Sequence, residues 1–318
     1  MSKYRKRLPQ ISDDASTLYM TDGGLETTLI FHDRIELPYF AAFHLLRDDQ
    51  GTDQLRRYFE RYATMATRQR VGFILEAPTW RANADWGAKI GYDAMALANA
   101  NRKAIELMVK VRDVHETPQT KMVISGNLGP RGDGYKAENQ MTAQAAADYH
   151  AAQIETFAGT DADMVSAFTM TYVDEAIGIV RAARAHQMPV AISFTLETDG
   201  RLPSGMTLAE ALSRTEAETD AYAAYYMINC AHPTHFDHVL NLDHALLDRI
   251  RGLRTNASRR SHAELDESTE LDAGEPIELG RQHLRLQAQL PKLYVVGGCC
   301  GTDHRHVGAI FEALRRVA

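Results

Sequence analysis

The sequence predicts an α/β protein with a single (β/α)8 TIM barrel, one domain that spans residues 1–318. Two observations carry this prediction. Eight short apolar runs of strand character can be picked out, and helical patterns separate most of them. Strands that alternate with helices indicate right-handed βαβ units and a parallel sheet, and eight such units close into a barrel. The alternative is an open doubly wound sheet, but no G-x-G-x-x-G motif opens a helix after the first strand.

The predicted strands are short, and most of them end in turn residues or polar side chains. They cover residues 17–21, 72–76, 122–125, 164–168, 190–195, 226–230, 250–254 and 295–299. Helices are predicted over residues 54–69, 94–114, 142–158, 174–186, 208–214, 235–247 and 304–317. Thr142 is a candidate N-cap for the third helix, and Pro189 marks the end of the fourth. Residues 1–16 form an N-terminal extension that begins with a basic stretch.

Residues 258–280, after the seventh strand, interrupt the alternation of strands and helices. This acidic loop carries seven Asp and Glu side chains. A run of like charges is usually a solvated face. A loop that follows a barrel strand can also act as a lid over the barrel mouth, and the sequence leaves both interpretations open.

Composition and charge argue against several classes of function. The chain is 45% apolar and 24% charged, which suits a globular core. A net charge of -7 argues against a nucleic-acid partner, because phosphate contacts need basic patches. The basic N-terminus has no apolar region after it, and no stretch approaches membrane-spanning length, so the sequence predicts a cytoplasmic protein without a membrane partner. Three cysteines without framework spacing indicate a reducing compartment. A homo-oligomer is left open.

All three cysteines lie where a predicted strand ends. Cys230 closes the sixth strand, Cys299 closes the eighth, and Cys300 comes directly after it, so that the pair stands between Gly298 and Gly301. Free cysteines are often small buried residues, and neighbouring ones could form a strained disulfide. Because the carboxyl ends of barrel strands share one rim, three thiolates there can instead form a tetrahedral zinc site with one open position.

Other polar and glycine residues follow predicted strands at the same rim. They are Asp22, Gly23, Gly24, Glu76, Asn127, Asn229 and Asn256. The motifs Asp22-Gly23-Gly24, Asn229-Cys230 and the Gly-Gly-Cys-Cys-Gly-Thr stretch at 297–302 resemble the homocysteine S-methyltransferase family. The similarity runs over nearly the whole chain, from about residue 19 to residue 317.

This resemblance implies a barrel whose cysteines bind Zn²⁺ and whose partners are two small molecules, a thiol acceptor and a methyl donor. Cys230, Cys299 and Cys300 are the expected metal ligands and catalytic residues. Zinc removes the thiol proton of homocysteine and holds its sulfur as a thiolate, which attacks a methyl carbon. The expected substrate contacts are Asp22, Gly23, Gly24, Glu76, Asn229 and Asn256.

The resemblance also indicates the methyl donor. The chain has no room for the folate- and cobalamin-binding modules of the large methionine synthases, and it lacks the C-terminal extension of the betaine-dependent relatives. It is similar in length to enzymes that use a sulfonium donor such as S-methylmethionine. The expected reaction therefore moves a methyl group from a sulfonium or other onium donor to homocysteine and gives methionine.

Two departures from the family pattern affect the acceptor. Phe168 ends the fourth strand where the family usually has a glutamate that binds the substrate amino group. Ala-Pro-Thr-Trp at 77–80 replaces the usual Thr-Asn-Thr-Tyr, and Glu76 just before it could supply a substitute carboxylate, as could Asp22. The alternatives are a methyltransferase with another thiol acceptor and a non-catalytic zinc-binding or thiol-redox barrel protein.

Histidine and tryptophan residues near the rim give weaker signals. His232 is close enough to Cys230 in sequence to reach a metal, but histidines in loops are usually solvated or capping. His306 is expected to pack or to form hydrogen bonds. Trp80 and Trp86 either line the pocket or pack in the core, because aromatic side chains do both.

Overall fold

A computed structural model describes Leu8 and residues 18–268 and 270–315. Its strands are β1 (Tyr19–Met20), β2 (Gly72–Glu76), β3 (Met122–Leu128), β4 (Met164–Met170), β5 (Val190–Phe194), β6 (Tyr225–Asn229), β7 (Ile250–Thr255) and β8 (Val295–Gly298). All eight strands are parallel and form a closed barrel in sequence order, and β8 pairs with β1. The predicted (β/α)8 barrel is therefore confirmed.

Helices of different lengths connect the strands. They are α1 (Leu25–Thr27), α2 (Asp49–Gln69), α3 (Ala84–Ala88), α4 (Ala94–His115), α5 (Ala143–Ala158), α6 (Val173–Ala185), α7 (Leu208–Glu218), α8 (Pro233–Phe236), α9 (His244–Leu247), α10 (His262–Asp266), α11 (Pro276–Gln289) and α12 (His304–Arg315). A π-helical turn (Thr28–His32) and three 3₁₀ segments (Pro38–Phe40, Ala42–Arg47, Asp237–Val239) complete the set. Thr142 caps α5 as predicted, because its side chain accepts a hydrogen bond from the Ala145 amide.

The core has two layers, as the barrel geometry requires. Alternate strand residues point into the barrel, where Ile74, Val123, Met164 and Tyr225 pack with Phe168 in one cluster. A larger apolar cluster fills the space between the strands and the helices. Because strands of a parallel barrel are covered on both faces, they appear in the sequence as continuous apolar runs.

The connection before β7 corrects one predicted helix. Residues 235–247 do not form a single helix, because Phe236 and Leu240 leave helical continuity and the Asp243 side chain caps a new helix at the Ala245 amide. The segment therefore contains α8, a 3₁₀ turn and α9.

The connection before β8 contains a helix that the sequence pattern did not predict. In α11 the buried face mixes Leu279 and Leu286 with polar Gln282 and His283, so its apolar periodicity is weak. The acidic loop 258–280 is accordingly not a loop throughout, since it includes α10 and the start of α11. The predicted extension 1–16 lies outside the described residues except for Leu8, which packs inside the barrel. Among the described residues, no helix is both long and apolar enough to cross a membrane.

Candidate active site

The structure brings the three cysteines together at the carboxyl ends of β6 and β8. Their sulfur atoms lie within 4.8 Å of one another. Cys230 and Cys299 are joined as a disulfide with their Cα atoms 5.4 Å apart, and Cys300 is free. Two sulfurs on one tetrahedral zinc ion at about 2.3 Å each lie roughly 3.8 Å apart, a spacing that the three sulfurs can reach by small side-chain movements. The cluster therefore has the size and the donor set that a shared zinc ion needs once the disulfide is reduced.

The glycines around the cysteine pair have two different tasks. Gly301 has a φ of +78°, a left-handed conformation that lets the chain turn after Cys300. Gly297 and Gly298 have no room for a Cβ, which would collide with the side chains of Thr21 and Thr302. The glycine after the pair thus supplies a sharp turn, and the glycines before it allow close packing against Thr21 and Thr302.

A cavity of about 390 Å³ opens above this cluster at the carboxyl ends of the strands. Of the predicted substrate contacts, Gly23, Gly24, Glu76 and Asn229 line the cavity, as do the three cysteines. The segment 258–272 contributes part of the wall. Part of the acidic loop therefore lines the barrel mouth, so the loop is not a wholly solvated face.

Two predicted substrate contacts, Asp22 and Asn256, do not line the cavity. The Asp22 carboxylate pairs with Arg254 at 2.7 Å and accepts a hydrogen bond from the Tyr58 hydroxyl at 2.9 Å. Burial raises the pKa of Asp22, and Arg254 opposes this shift. The Asn256 amide donates to the Cys230 carbonyl at 2.9 Å and so fixes the backbone at a cysteine. Asp22 is thus occupied by Arg254 and Tyr58, whereas the Oδ1 of Asn256 has no hydrogen-bond partner among the described residues, and a substrate contact at either residue stays a prediction.

Glu76 is an acidic residue of the cavity wall with one carboxylate oxygen that has no partner among the described residues. It is 3% exposed, and its Oε1 accepts a hydrogen bond from the Ser166 hydroxyl at 3.2 Å. Its Oε2 is buried and has no hydrogen-bond partner among the described residues. Burial raises the pKa of Glu76 to about 7, and the positive charge of Arg254 limits the shift. The carboxylate can therefore accept one further donor from inside the cavity.

Sequence reasoning missed Arg254, the buried cation of the site. Its guanidinium donates to the carbonyls of Gly298 and Gly23, both at 3.1 Å, in addition to the Asp22 pair. The guanidinium lies 5.1 Å from the centroid of the Phe168 ring. Phe168 stands where the resemblance predicts a glutamate. A charged residue within the seventh apolar run was the signal that could have identified Arg254.

Arg81 is a second buried guanidinium, held between two aromatic rings. It lies 4.0 Å from the Trp80 ring and 3.8 Å from the Trp86 ring, and it donates to the Gly132 carbonyl at 3.0 Å. Burial lowers the pKa of Arg81 to about 10. Trp80 and Arg81 line the cavity, whereas Trp86 only supports them.

Tyr135 and His262 connect two loops above the cysteines. The Tyr135 hydroxyl lies 3.1 Å from the Cys300 sulfur. Its ring stacks on His262 with centroids 4.1 Å apart, and the His262 ring contacts Glu197 at 3.0 Å and the Cys230 carbonyl at 2.7 Å. Tyr135 carries no signal in the sequence, because it lies in a loop without periodicity.

The remaining histidines have structural contacts. His232 is not part of the cysteine cluster, since its Nδ1 caps α8 beside Thr234, and burial lowers its pKa to about 3. His306 is buried against Asp303 and the Ala273 carbonyl, which confirms its predicted hydrogen-bonding role.

Comparison with known proteins shows which family the chain matches. A model of the homocysteine S-methyltransferase family matches residues 19–314. A comparison with curated protein sequences found no match. Among solved structures, the chain is similar to the oxidised form of the homocysteine methyltransferase MmuM from Escherichia coli, with 18% identity, a TM-score of 0.75 and 99% of each chain covered. The metallated form of that enzyme gives 18% identity and a TM-score of 0.73, with 96% of this chain and 98% of that chain covered. At this identity the likeness shows a shared fold.

Proposed function

The chain belongs to the homocysteine S-methyltransferase family and is therefore a methyltransferase, and from this premise we propose that it methylates homocysteine with a sulfonium donor and zinc. The observation that carries the proposal is the cysteine cluster in the wall of the cavity. Cys230, Cys299 and Cys300 are the proposed zinc ligands. Three protein thiolates leave a tetrahedral ion one position for an outside thiol.

The reaction needs few groups besides the cysteines. When bound, zinc holds a thiol sulfur as a nucleophilic thiolate near neutral pH. A lone pair of the acceptor sulfur forms the new bond to the methyl carbon as the bond from that carbon to the donor sulfonium breaks. The electron pair of the broken bond stays on the donor sulfur, which leaves as a neutral thioether, and the acceptor's thiol proton passes to solvent. The protein therefore has to align two sulfur atoms with one carbon and keep competing nucleophiles away.

Two pocket side chains match the charges of an amino-acid acceptor. Glu76 has a free carboxylate oxygen for an ammonium group, while Asp22 is already occupied by Arg254. Arg81 lines the same cavity, has no carboxylate partner within salt-bridge distance among the described residues, and suits a carboxylate group. We assign the acceptor's amino group to Glu76 and its carboxylate to Arg81, so that Phe168 does not preclude homocysteine.

The charge around the mouth supports a cationic donor. Asp133, Asp266, Glu270 and Asp272 all line the cavity on its loop side. Clustered charges of one sign attract ligands of the opposite sign and raise their local concentration. A sulfonium such as S-methylmethionine carries the matching positive charge, whereas a neutral methyl donor gains nothing from these carboxylates.

The test combines metal analysis with a substrate matrix. Freshly reduced protein should contain about one zinc per chain, and homocysteine should add a fourth sulfur to the zinc X-ray absorption spectrum. Mass spectrometry should detect methionine from homocysteine with S-methylmethionine, and less or none with betaine. An absence of product with every thiol and donor, from zinc-loaded protein, would refute the proposal.

A thiol-redox role is the second candidate, and the Cys230–Cys299 disulfide favours it. Cys300 lies beside this disulfide and is free, so it could attack one of its sulfurs and exchange the bond. In that case an added thiol should reduce the disulfide, an added small-molecule disulfide should reoxidise the dithiol, and the reduced protein should not need zinc. A fourth sulfur on bound zinc distinguishes the methyltransferase from this alternative.

A further inference from the structure

Each cysteine sulfur of the cluster lies beside one side chain that can donate a hydrogen bond to it. The Tyr135 hydroxyl is 3.1 Å from the Cys300 sulfur. The Thr169 hydroxyl is 3.9 Å from the sulfur of Cys230, and the Asn229 amide nitrogen is 3.9 Å from that of Cys299. We propose that these three donors, with Tyr135 the closest, protect the enzyme's own cysteines from methylation and so direct the methyl group to the acceptor. The proposal rests on the proposed function.

Tyr135 is held in place independently of its contact with Cys300. Its ring stacks on His262 at 4.1 Å with an interplanar angle of 10°. His262 is itself fixed by contacts of its two ring nitrogens, one to Glu197 and one to the carbonyl of Cys230. A phenol fixed through its ring can keep its hydroxyl directed at one sulfur.

Thr169 on β4 and Asn229 on β6 form a second, mutually bonded pair, with β5 between their strands. The Asn229 amide donates to the Thr169 hydroxyl at 2.9 Å, and its Oδ1 accepts from the Thr169 backbone amide at 2.9 Å and from Ser193 at 2.6 Å. The Thr169 oxygen thus already accepts a hydrogen bond, so its own hydrogen remains available for Cys230.

The backbone at Thr169 indicates that this placement matters. Its φ is +65°, in the left-handed region that β-branched residues rarely adopt. It lies where the pairing of β4 with β5 shifts register between Ala167 and Met170. Such irregularities redirect side chains and persist near functional sites. Here the irregularity directs the Thr169 hydroxyl toward the sulfur of Cys230.

Donated hydrogen bonds affect the sulfurs because a metal-bound cysteine is a competing nucleophile. Once Cys300 has lost its proton to bind metal, its sulfur can only accept, so Tyr135 must donate. If Cys300 attacked the donor, its sulfur would form the bond to the methyl carbon and the sulfonium would leave as a thioether, which costs the enzyme a metal ligand. A hydrogen bond to the thiolate weakens as charge moves into the new bond, and it therefore slows that attack. The three donors are directed at the protein's own sulfurs, so they do not suppress the reactivity of an incoming acceptor sulfur.

The test removes only the donor from Tyr135. Tyr135→Phe keeps the ring and its stack on His262, and Tyr226→Phe is the matched control, since its hydroxyl bonds Glu216 outside the cavity. Zinc-loaded proteins of equal metal content are treated with methyl iodide, and separately with S-methylmethionine, in the absence of acceptor. Peptide mass spectrometry then measures the methylation of each cysteine. We expect Cys300 to be methylated about three- to ten-fold faster in Tyr135→Phe, since part of a charge-assisted hydrogen bond is lost in the transition state.

The outcomes separate the inference from the proposed function. Equal Cys300 methylation by methyl iodide in Tyr135→Phe and wild type would overturn the protective role, whatever the enzyme's natural reaction. Loss of zinc by Tyr135→Phe would also count against it, because the hydroxyl would then hold the metal site together rather than protect it. Failure of wild type to methylate homocysteine, with a clear methyl iodide effect at Cys300, would refute the proposed function and leave the protective contact established.

Discussion

Glu76→Gln tests most directly whether Glu76 binds the ammonium group of the acceptor, in place of the glutamate that the family usually has at position 168. The substitution keeps the shape of the side chain and an oxygen that can accept from Ser166, but it removes the charge that Oε2 offers to the cavity. A hydrogen bond to a charged group contributes about 1.5–3 kcal/mol, which corresponds to a fall in kcat/KM of about ten- to a hundred-fold. Because the pKa of Glu76 is raised to about 7, only about half of the wild-type sites carry the charge at pH 7. The comparison is therefore made at pH 8.

The control for this prediction is a change in the acceptor. With 4-mercaptobutanoate, which is homocysteine without its amino group, Glu76→Gln and wild type should react at similar rates. Glu26→Gln is the comparison variant, because Glu26 is another cavity acid whose pKa burial raises to about 7. An unchanged kcat/KM for homocysteine in Glu76→Gln, or a loss that appears only in Glu26→Gln, would refute the assignment of the amino group to Glu76.

Three further predictions follow from burial and charge. Because burial raises the pKa of Glu76 from 4.5 to about 7, its contribution to the stability of the wild type is fully present below about pH 4.5 and is lost as the pH rises through about 7. Urea denaturation at pH 8 should therefore show Glu76→Gln more stable than the wild type by up to about 3 kcal/mol, with no difference at pH 4. Cys230→Ser should reduce bound zinc from about one per chain to near zero by metal analysis, and retained zinc would exclude Cys230 as a ligand. Arg254→Met should lower the unfolding free energy by about 3–5 kcal/mol because it leaves Asp22 buried without its partner. Adding Asp22→Asn should recover part of that loss, and strictly additive losses would contradict the pairing.

The fold could be predicted because barrel strands are buried on both faces. Runs such as 122–125 and 190–195 are apolar without alternation, and they recur between helical patterns. The errors arose where local capping or polar burial overrides periodicity. Asp243 caps a new helix inside the predicted one. In α11 the buried face includes the polar residues Gln282 and His283, so the sequence pattern does not indicate a buried face there.

The candidate site was predictable where the barrel itself determines the geometry. Ends of parallel strands share one rim, so cysteines that follow β6 and β8 had to meet there. Arg254 was not predicted, because the sequence does not show that this residue of β7 pairs with Asp22, which follows β1. Tyr135 was not predicted either, since the path of its loop depends on the stack with His262.

The position of the cysteine cluster links the proposed metal binding to closure of the barrel. Cys230 follows β6, while Cys299 and Cys300 follow β8, the strand that pairs with both β7 and β1. Cys230 and Cys299 are 69 residues apart in sequence and meet across β7. If the cluster binds zinc as proposed, a chain that has not yet docked its last strand has no metal site, and the binding free energy of the ion adds to the free energy of docking that strand. The rate at which a chelator removes the ion from the intact protein would then report the rate at which β8 transiently undocks.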